Sequence, residues 1–250
     1  MKNTLLILLT LIIFFTGCKK ENQSPILDID EQTQNQNSAA DFTITASDID
    51  FTVGSTWAYS LATIDFQYVN MSSANPNLSY SYTTNTSYTI SVIRDTIISP
   101  NITGKILLTA AAGIDDVNNY IREVWYYEPL DLKWHDILYE RYNGGTEIVS
   151  CLGINLPLTP TSSWQNTHTS HPSSGVDSCY ALGFDNASCG LGNIKCIKFQ
   201  SKTVNDNQNT YWYNNLYGKI KTQNTSYIYD NGAQTLTGKT STMTLTSFHN

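Results

Sequence analysis

From residue 42 to the C-terminus the chain alternates. β-Branched and aromatic residues recur at every second position between short clusters of Gly, Asn, Pro and Asp, and no apolar stripe at helical spacing competes with them. Successive strand residues point to opposite faces, so this period calls for β-strands. It predicts strands over 42–46, 57–69, 80–98, 105–110, 120–127, 133–142, 194–204, 210–213, 216–222 and 241–248. The clearest hairpin is 120–142, where Trp125, Tyr126 and Tyr127 lead into Glu128-Pro129-Leu130-Asp131 and the chain returns through Trp134 and Tyr139. Asn143-Gly144-Gly145 turns it again, and the proline-bearing stretch 156–175 lacks alternation and reads as a long surface loop. With no clean internal boundary, 42–250 reads as one all-β, mainly antiparallel domain: a curved sheet, half-barrel or sandwich. Fourteen Gly, 7 Pro and 16 Tyr in 250 residues fit neither a collagen nor a coiled coil.

The first 41 residues obey different rules. Lys2 precedes an apolar run over 5–15, too short to span a bilayer, as in the h-region of a secretory signal. The run ends in Phe15-Thr16-Gly17-Cys18, which resembles a bacterial lipobox with Phe where an aliphatic residue is usual. The expectation is a signal peptide over 1–17, a lipidated Cys18, and a polar, Gln/Asn-rich tether completing 18–41. A formal net charge of -7 has the wrong sign for a surface that neutralises nucleic-acid phosphates. The partner so implied is a membrane, reached through the N-terminal lipid.

Four cysteines remain, Cys151, Cys179, Cys189 and Cys196. In an exported chain an even, clustered set reads as two disulfides; three pairings exist, and Cys179–Cys196 with Cys151–Cys189 is preferred because it clamps the Gly/Ser/Asn-rich stretch 183–192. None of the spacings is that of a zinc site. His168 and His171, with Asp177 downstream, make the one grouping that looks like a metal-ligand set, but it lacks the helix and the Glu of an informative motif. His135 and His249 have no triad partners nearby in sequence, and no nucleophile elbow or phosphate loop occurs. Asp115-Asp116 and Asn205-Asp206-Asn207 read as turns, since neither continues into a calcium loop. No catalytic residue and no cofactor is therefore expected.

Trp125, Tyr127, Trp134 and Tyr139 are the candidate ligand-contacting residues. Alternation places Trp125 and Tyr127 on one face, where planar rings flanked by hydrogen-bonding groups suit a sugar or an apolar ligand.

Spaced fragments carry a family resemblance. Gly54-Ser55-Thr56-Trp57-Ala58-Tyr59, Leu156-Pro157-Leu158 with Ser163-Trp164, Gly192 to Lys198, and Tyr211-Trp212-Tyr213 with Tyr217-Gly218-Lys219-Ile220-Lys221 occur in order, followed by a closing strand over 243–248. Together they resemble a loosely defined group of uncharacterised Bacteroidota lipoproteins. The resemblance implies a curved antiparallel sheet, a half-barrel of the kind seen in lipoprotein-localisation carriers, with Gly54, Gly192 and Gly218 at turns or strand edges. It implies no catalytic residue and no ligand.

The expectation is a lipid-anchored protein of the cell envelope, at the outer membrane, with a non-catalytic β domain that binds an apolar or glycan ligand or serves a structural role. The alternative is a secreted metal-dependent hydrolase acting on glycans or esters through His168, His171 and Asp177.

Overall fold

Alternation becomes strands, and the strands become two meanders. The computed structural model describes residues 41–72, 76–111, 121–142, 145–170, 173–202 and 208–250. The first meander is β1 (Thr56–Val69), β2 (Asn77–Ser99), β3 (Ile102–Ala111), β4 (Ile121–Glu128), β5 (Lys133–Tyr142) and β6 (Gly145–Asn155). The second is β7 (Ser163–Ser170), β8 (Ser173–Cys189), β9 (Gly192–Lys202), β10 (Gln208–Asn214), β11 (Gly218–Asp230) and β12 (Thr235–His249). Every strand lies antiparallel beside its sequence neighbour within a meander, and β1 pairs with β12 to join the two. The resulting 12-stranded sheet has β6 and β7 at its edges and curls into a nearly closed barrel. The all-β antiparallel expectation holds, in its half-barrel form.

Side chains of β7 stitch the two edges together where no ladder does. The Gly153 N–H of β6 donates to Asn166 Oδ1 at 3.1 Å, and the Gly153 carbonyl accepts from Trp164 Nε1 at 2.7 Å. A Cβ at position 153 would stand 2.7 Å from the Asn166 oxygen, so the seam needs glycine there. Both partners are buried, and water cannot replace either bond.

One end of the barrel is plugged. Ile44 makes a two-bond bridge with Leu158, a 3-10 turn over Ala46–Ile49 is capped by Thr45 and Asp48, and Phe51 then drops edge-on against Trp57 with centroids 4.7 Å apart. Ser55 and Thr52 hydroxyls donate to Asn250 Oδ1, tying this segment to the last strand. From Trp57 a contiguous file of rings crosses the lumen through Trp125, Trp134, Tyr213 and Phe199 to Trp164, each step between 5.3 and 6.3 Å. Trp57 Nε1 donates to the Tyr217 carbonyl and the Tyr59 hydroxyl to the Lys219 carbonyl, both at 2.9 Å, so the polar tips of these core rings are satisfied.

Several expectations need correction. The stretch 156–175 is a short connection, containing the cis Leu156–Pro157 bond, followed by β7 and the start of β8. Its strands were hidden because Gln165, Asn166 and Asp177 interrupt the apolar pattern, although Asn166 and Asp177 are buried. Likewise 183–189 belongs to β8, and 145–155 forms a whole edge strand. Residues 42–46 give one bridge instead of a strand, because they plug an end and do not join the sheet. Gly54, Gly192 and Gly218 all take positive φ, as turn or strand-edge positions do.

The two-disulfide clamp is also corrected: Cys179, Cys189 and Cys196 are free thiols, while Cys151 sits in β6 with its side chain outside the described residues. Register explains the failure of the preferred pair. Cys179 faces Ser201 and Cys196 faces Asp185, which puts them about 17 Å apart along the strands, where a disulfide needs Cα atoms within about 7 Å. Burial pushes the Cys179 thiol up to about 11 and Cys196 to about 12, so both are protonated, inert core groups at neutral pH.

The seam yields a test. Asn166→Ala strips the Gly153 N–H of its acceptor and should lower unfolding free energy by about 1–3 kcal/mol in urea titrations, with faster amide exchange at Gly153; an unchanged midpoint and exchange rate would show that the edges are held some other way.

Candidate ligand cleft at the closed end of the barrel

The β4–β5 hairpin sets the site. Across it Trp125 opposes Asp136 and Tyr127 opposes Trp134, so these four share the inward face, while Tyr126 and His135 oppose each other on the outward face and stack at 4.7 Å. Trp125 and Trp134 are 4% and 3% exposed, members of the ring file that fills the lumen. They are also the floor of a cleft of about 370 Å³ that opens beside the plug. Tyr127 is half-buried along the same wall, and Ser47, Asp50, Asp95, Asn101 and Thr103 bring polar groups to the rim.

Lys105 organises that rim. Its ammonium lies 2.7 Å from Asp95 and 3.5 Å from Asp50, joining the plug to the β2–β3 hairpin. Partial burial works against its charge, but the Asp95 hydrogen bond and the two carboxylates outweigh this and raise its pKa above the ordinary lysine value. The rim is thus rich in acceptors, with one fixed cation.

Deeper in the lumen, Lys219 of β11 reaches Asp136 of β5 at 2.8 Å, both side chains about one-tenth exposed. Six ladder steps separate these strands around the sheet, so the pair spans the interior from wall to wall. Lys219 also stands 5.7 Å from the Trp125 ring centre. The pair opens on a second cavity of about 250 Å³, lined on its apolar side by Leu152, Tyr211 and Met243. Burial drives the Tyr211 phenol well above its usual range although Lys219 pulls the other way, so it stays neutral.

Of the residues singled out from sequence, Trp125, Tyr127 and Trp134 come together at one cleft. Tyr139 lies in β5 opposite Arg122, its side chain outside the described residues. His168 is in β7 opposite Gly175, also without a described side chain; His171, Cys18 and the segments 115–116 and 205–207 lie wholly outside. Asp177 is buried and accepts from the Ser201 hydroxyl at 3.1 Å. Among the described residues no three His, Cys, Asp or Glu side chains gather as a metal site. Asp136 and Lys219 escaped the sequence reading because a partner 83 residues away leaves no local motif; Lys105 escaped it because its ion pair with Asp95, 10 residues back, depends on the β2–β3 register.

No family model matches the chain, and no curated protein does. Among solved structures it is similar to a DUF1329 family protein from Desulfovibrio piger, at 9% identity over 79% of this chain and 86% of that one, with a TM-score of 0.26. A superposition that loose assigns neither fold nor function.

Two predictions follow from the charges. Asp136→Ala leaves Lys219 buried without its partner and should cost about 3–5 kcal/mol, whereas Asp136→Leu combined with Lys219→Met should recover most of it; equal losses in chemical denaturation would show that the pair contributes nothing as a pair. Burial lowers the His135 pKa, against the pull of Glu128 at 3.4 Å. A depressed pKa gives stability that is whole above the unfolded value of about 6.5 and is lost as pH falls through that value to the folded one. Thermal unfolding between pH 7.5 and 5 should therefore slope downward in the wild type and less so in His135→Gln, and parallel curves would refute the assignment.

Proposed function

We propose that this chain is a lipid-anchored envelope protein, held at the outer membrane through Cys18, whose half-barrel binds a small neutral glycan at the closed-end cleft without transforming it. One observation carries the reading. Trp125, Tyr127 and Trp134 converge on a cleft of about 370 Å³ whose rim holds Ser47, Asp50, Asp95, Asn101 and Thr103, and a ligand pocket of roughly 300–1,000 Å³ with an apolar floor and a few aimed polar groups suits a disaccharide-sized guest. A pyranose ring presents C–H groups to an aromatic wall and hydroxyls to carboxylate and amide acceptors. The acidic rim supplies acceptors, and the Lys105 ion pairs keep them in place.

Calorimetric titration with a panel of neutral disaccharides should give a saturable ligand whose affinity drops at least about tenfold in Tyr127→Ala, a change of about 1.4 kcal/mol. Retained affinity in that variant, or no binder in the panel, would sink the cleft assignment. The anchor is checked separately: labelled palmitate should enter the wild-type protein and not Cys18→Ala.

A further inference from the structure

Four strands run on past the barrel. Among the described residues β3 ends opposite Tyr88 of β2, and β10 begins opposite Thr225 of β11. Beyond those points β2, β1, β12 and β11 continue, paired with one another among the described residues, to the turns after Val69 and Asp230.

The outward face of this arm is aromatic. Phe66, Gly238 and Tyr227 stand in one cross-strand row; Tyr68, Leu236 and Tyr229 stand in the next, with Leu78 beside Tyr68. A Cβ at Gly238 would collide with the Phe66 ring, so the glycine exists to let Phe66 and Tyr227 lie over the backbone. Phe66 meets Tyr68 at 5.9 Å and Tyr227 at 6.2 Å. Even so, Leu78, Tyr227 and Tyr229 are 53%, 49% and 45% exposed. The charges in the arm point elsewhere: Asp65 opposes Lys239 on the other face, and the Asp230 carboxylate is occupied by the N–H groups of Gly232 and Ala233 in its own turn.

An uncharged face of tyrosines, leucines and threonines suits a headgroup boundary, where ring bodies enter the apolar layer and hydroxyls stay with water and phosphate. We propose that this face rests on a phospholipid bilayer. The occupant is identified through the lipid-anchor reading: Cys18 is followed by 22 residues before Asp41, and a chain of that length has a full reach of about 75 Å. A domain so tethered never leaves the bilayer's vicinity, and a weak surface contact suffices to orient it. Losing Lys2 with the signal peptide takes the formal charge from -7 to -8, which makes the preferred surface a zwitterionic one.

The test uses the mature chain from residue 18 carrying Cys18→Ser, so that failure of the anchor and failure of the arm give different results. In flotation with phosphatidylcholine/phosphatidylethanolamine vesicles, the chain should float with the lipid. The double variant Tyr227→Ser with Tyr229→Ser should bind at least about tenfold less, Tyr82→Ser on the opposite face should bind as the parent does, and vesicles rich in phosphatidylglycerol should hold less protein. No flotation of the parent, equal loss in Tyr82→Ser, or a lipid-free dimer in sedimentation that the double variant dissolves would each overturn the proposal, the last by assigning the face to a second copy of the chain.

Discussion

A sheet that curls almost into a tube must fill its own interior, and everything in this fold is arranged around how that is done. A 12-stranded barrel is too wide for single aliphatic side chains from opposite walls to meet. The chain bridges the gap with its largest residues, the file from Phe51 and Trp57 through Trp125, Trp134, Tyr213 and Phe199 to Trp164, contributed by strands on both halves of the sheet. Edge-to-face and tilted contacts between such rings add about 0.5–1.5 kcal/mol each beyond the area they bury. The plug segment completes the file from below, since Phe51 touches Trp57, Trp125 and Phe248 together.

Filling one end with rings has consequences for the other. The closed end gains a rigid aromatic floor, and a cleft appears where the plug and the β2–β3 hairpin fail to cover it fully. Beside the file the interior also holds the Lys219–Asp136 pair, directly across the ladder from Trp125 and next to the smaller cavity. The seam follows the same logic. β6 and β7 meet at Trp164, the last ring of the file, so the packing that closes the core also delivers the indole N–H to the Gly153 carbonyl.

Much of this was legible in the sequence, and the parts that were not share a cause. Period-two alternation exposed β1 to β5, β9 and β10, and of β11 and β12 only the parts within 216–222 and 241–248; it missed 223–230 and 235–240, where Tyr227, Tyr229 and Leu236 make the outward face apolar too. β7 and β8 break the pattern by burying Asn166 and Asp177, polar residues whose partners, Gly153 and Ser201, sit on neighbouring strands without forming any recognisable motif, so a single-sequence reading sees a loop. That Trp125 and Tyr127 share one face followed from alternation, a local property, while the ladder register brings Trp134 to it. Their polar companions came from 47–50 and 95–103, and only the curl of the sheet brings those segments near. The cysteines misled because their even count in an exported chain suggested bonds, while the register places Cys179, Cys189 and Cys196 on separate rows, Cys179 and Cys196 as small apolar core groups.

The buried Lys219–Asp136 pair is best understood against the aromatic file. Rings tolerate small shifts: a tilted contact at 5.3 Å loses little if one strand slides, so an interior of rings alone underdetermines how the two halves of the sheet align. A charge pair does not tolerate this. One-residue slippage of β11 against β12 would turn Lys219 to the outer face and leave Asp136 buried without a partner, a far larger penalty than the pair's own net stabilisation. Joining β5 to β11 across the lumen, it discriminates between registers that hydrophobic packing leaves close in energy. The same pair holds Lys219 near Trp125, so the alignment it selects is also the one that keeps the cleft's floor in place.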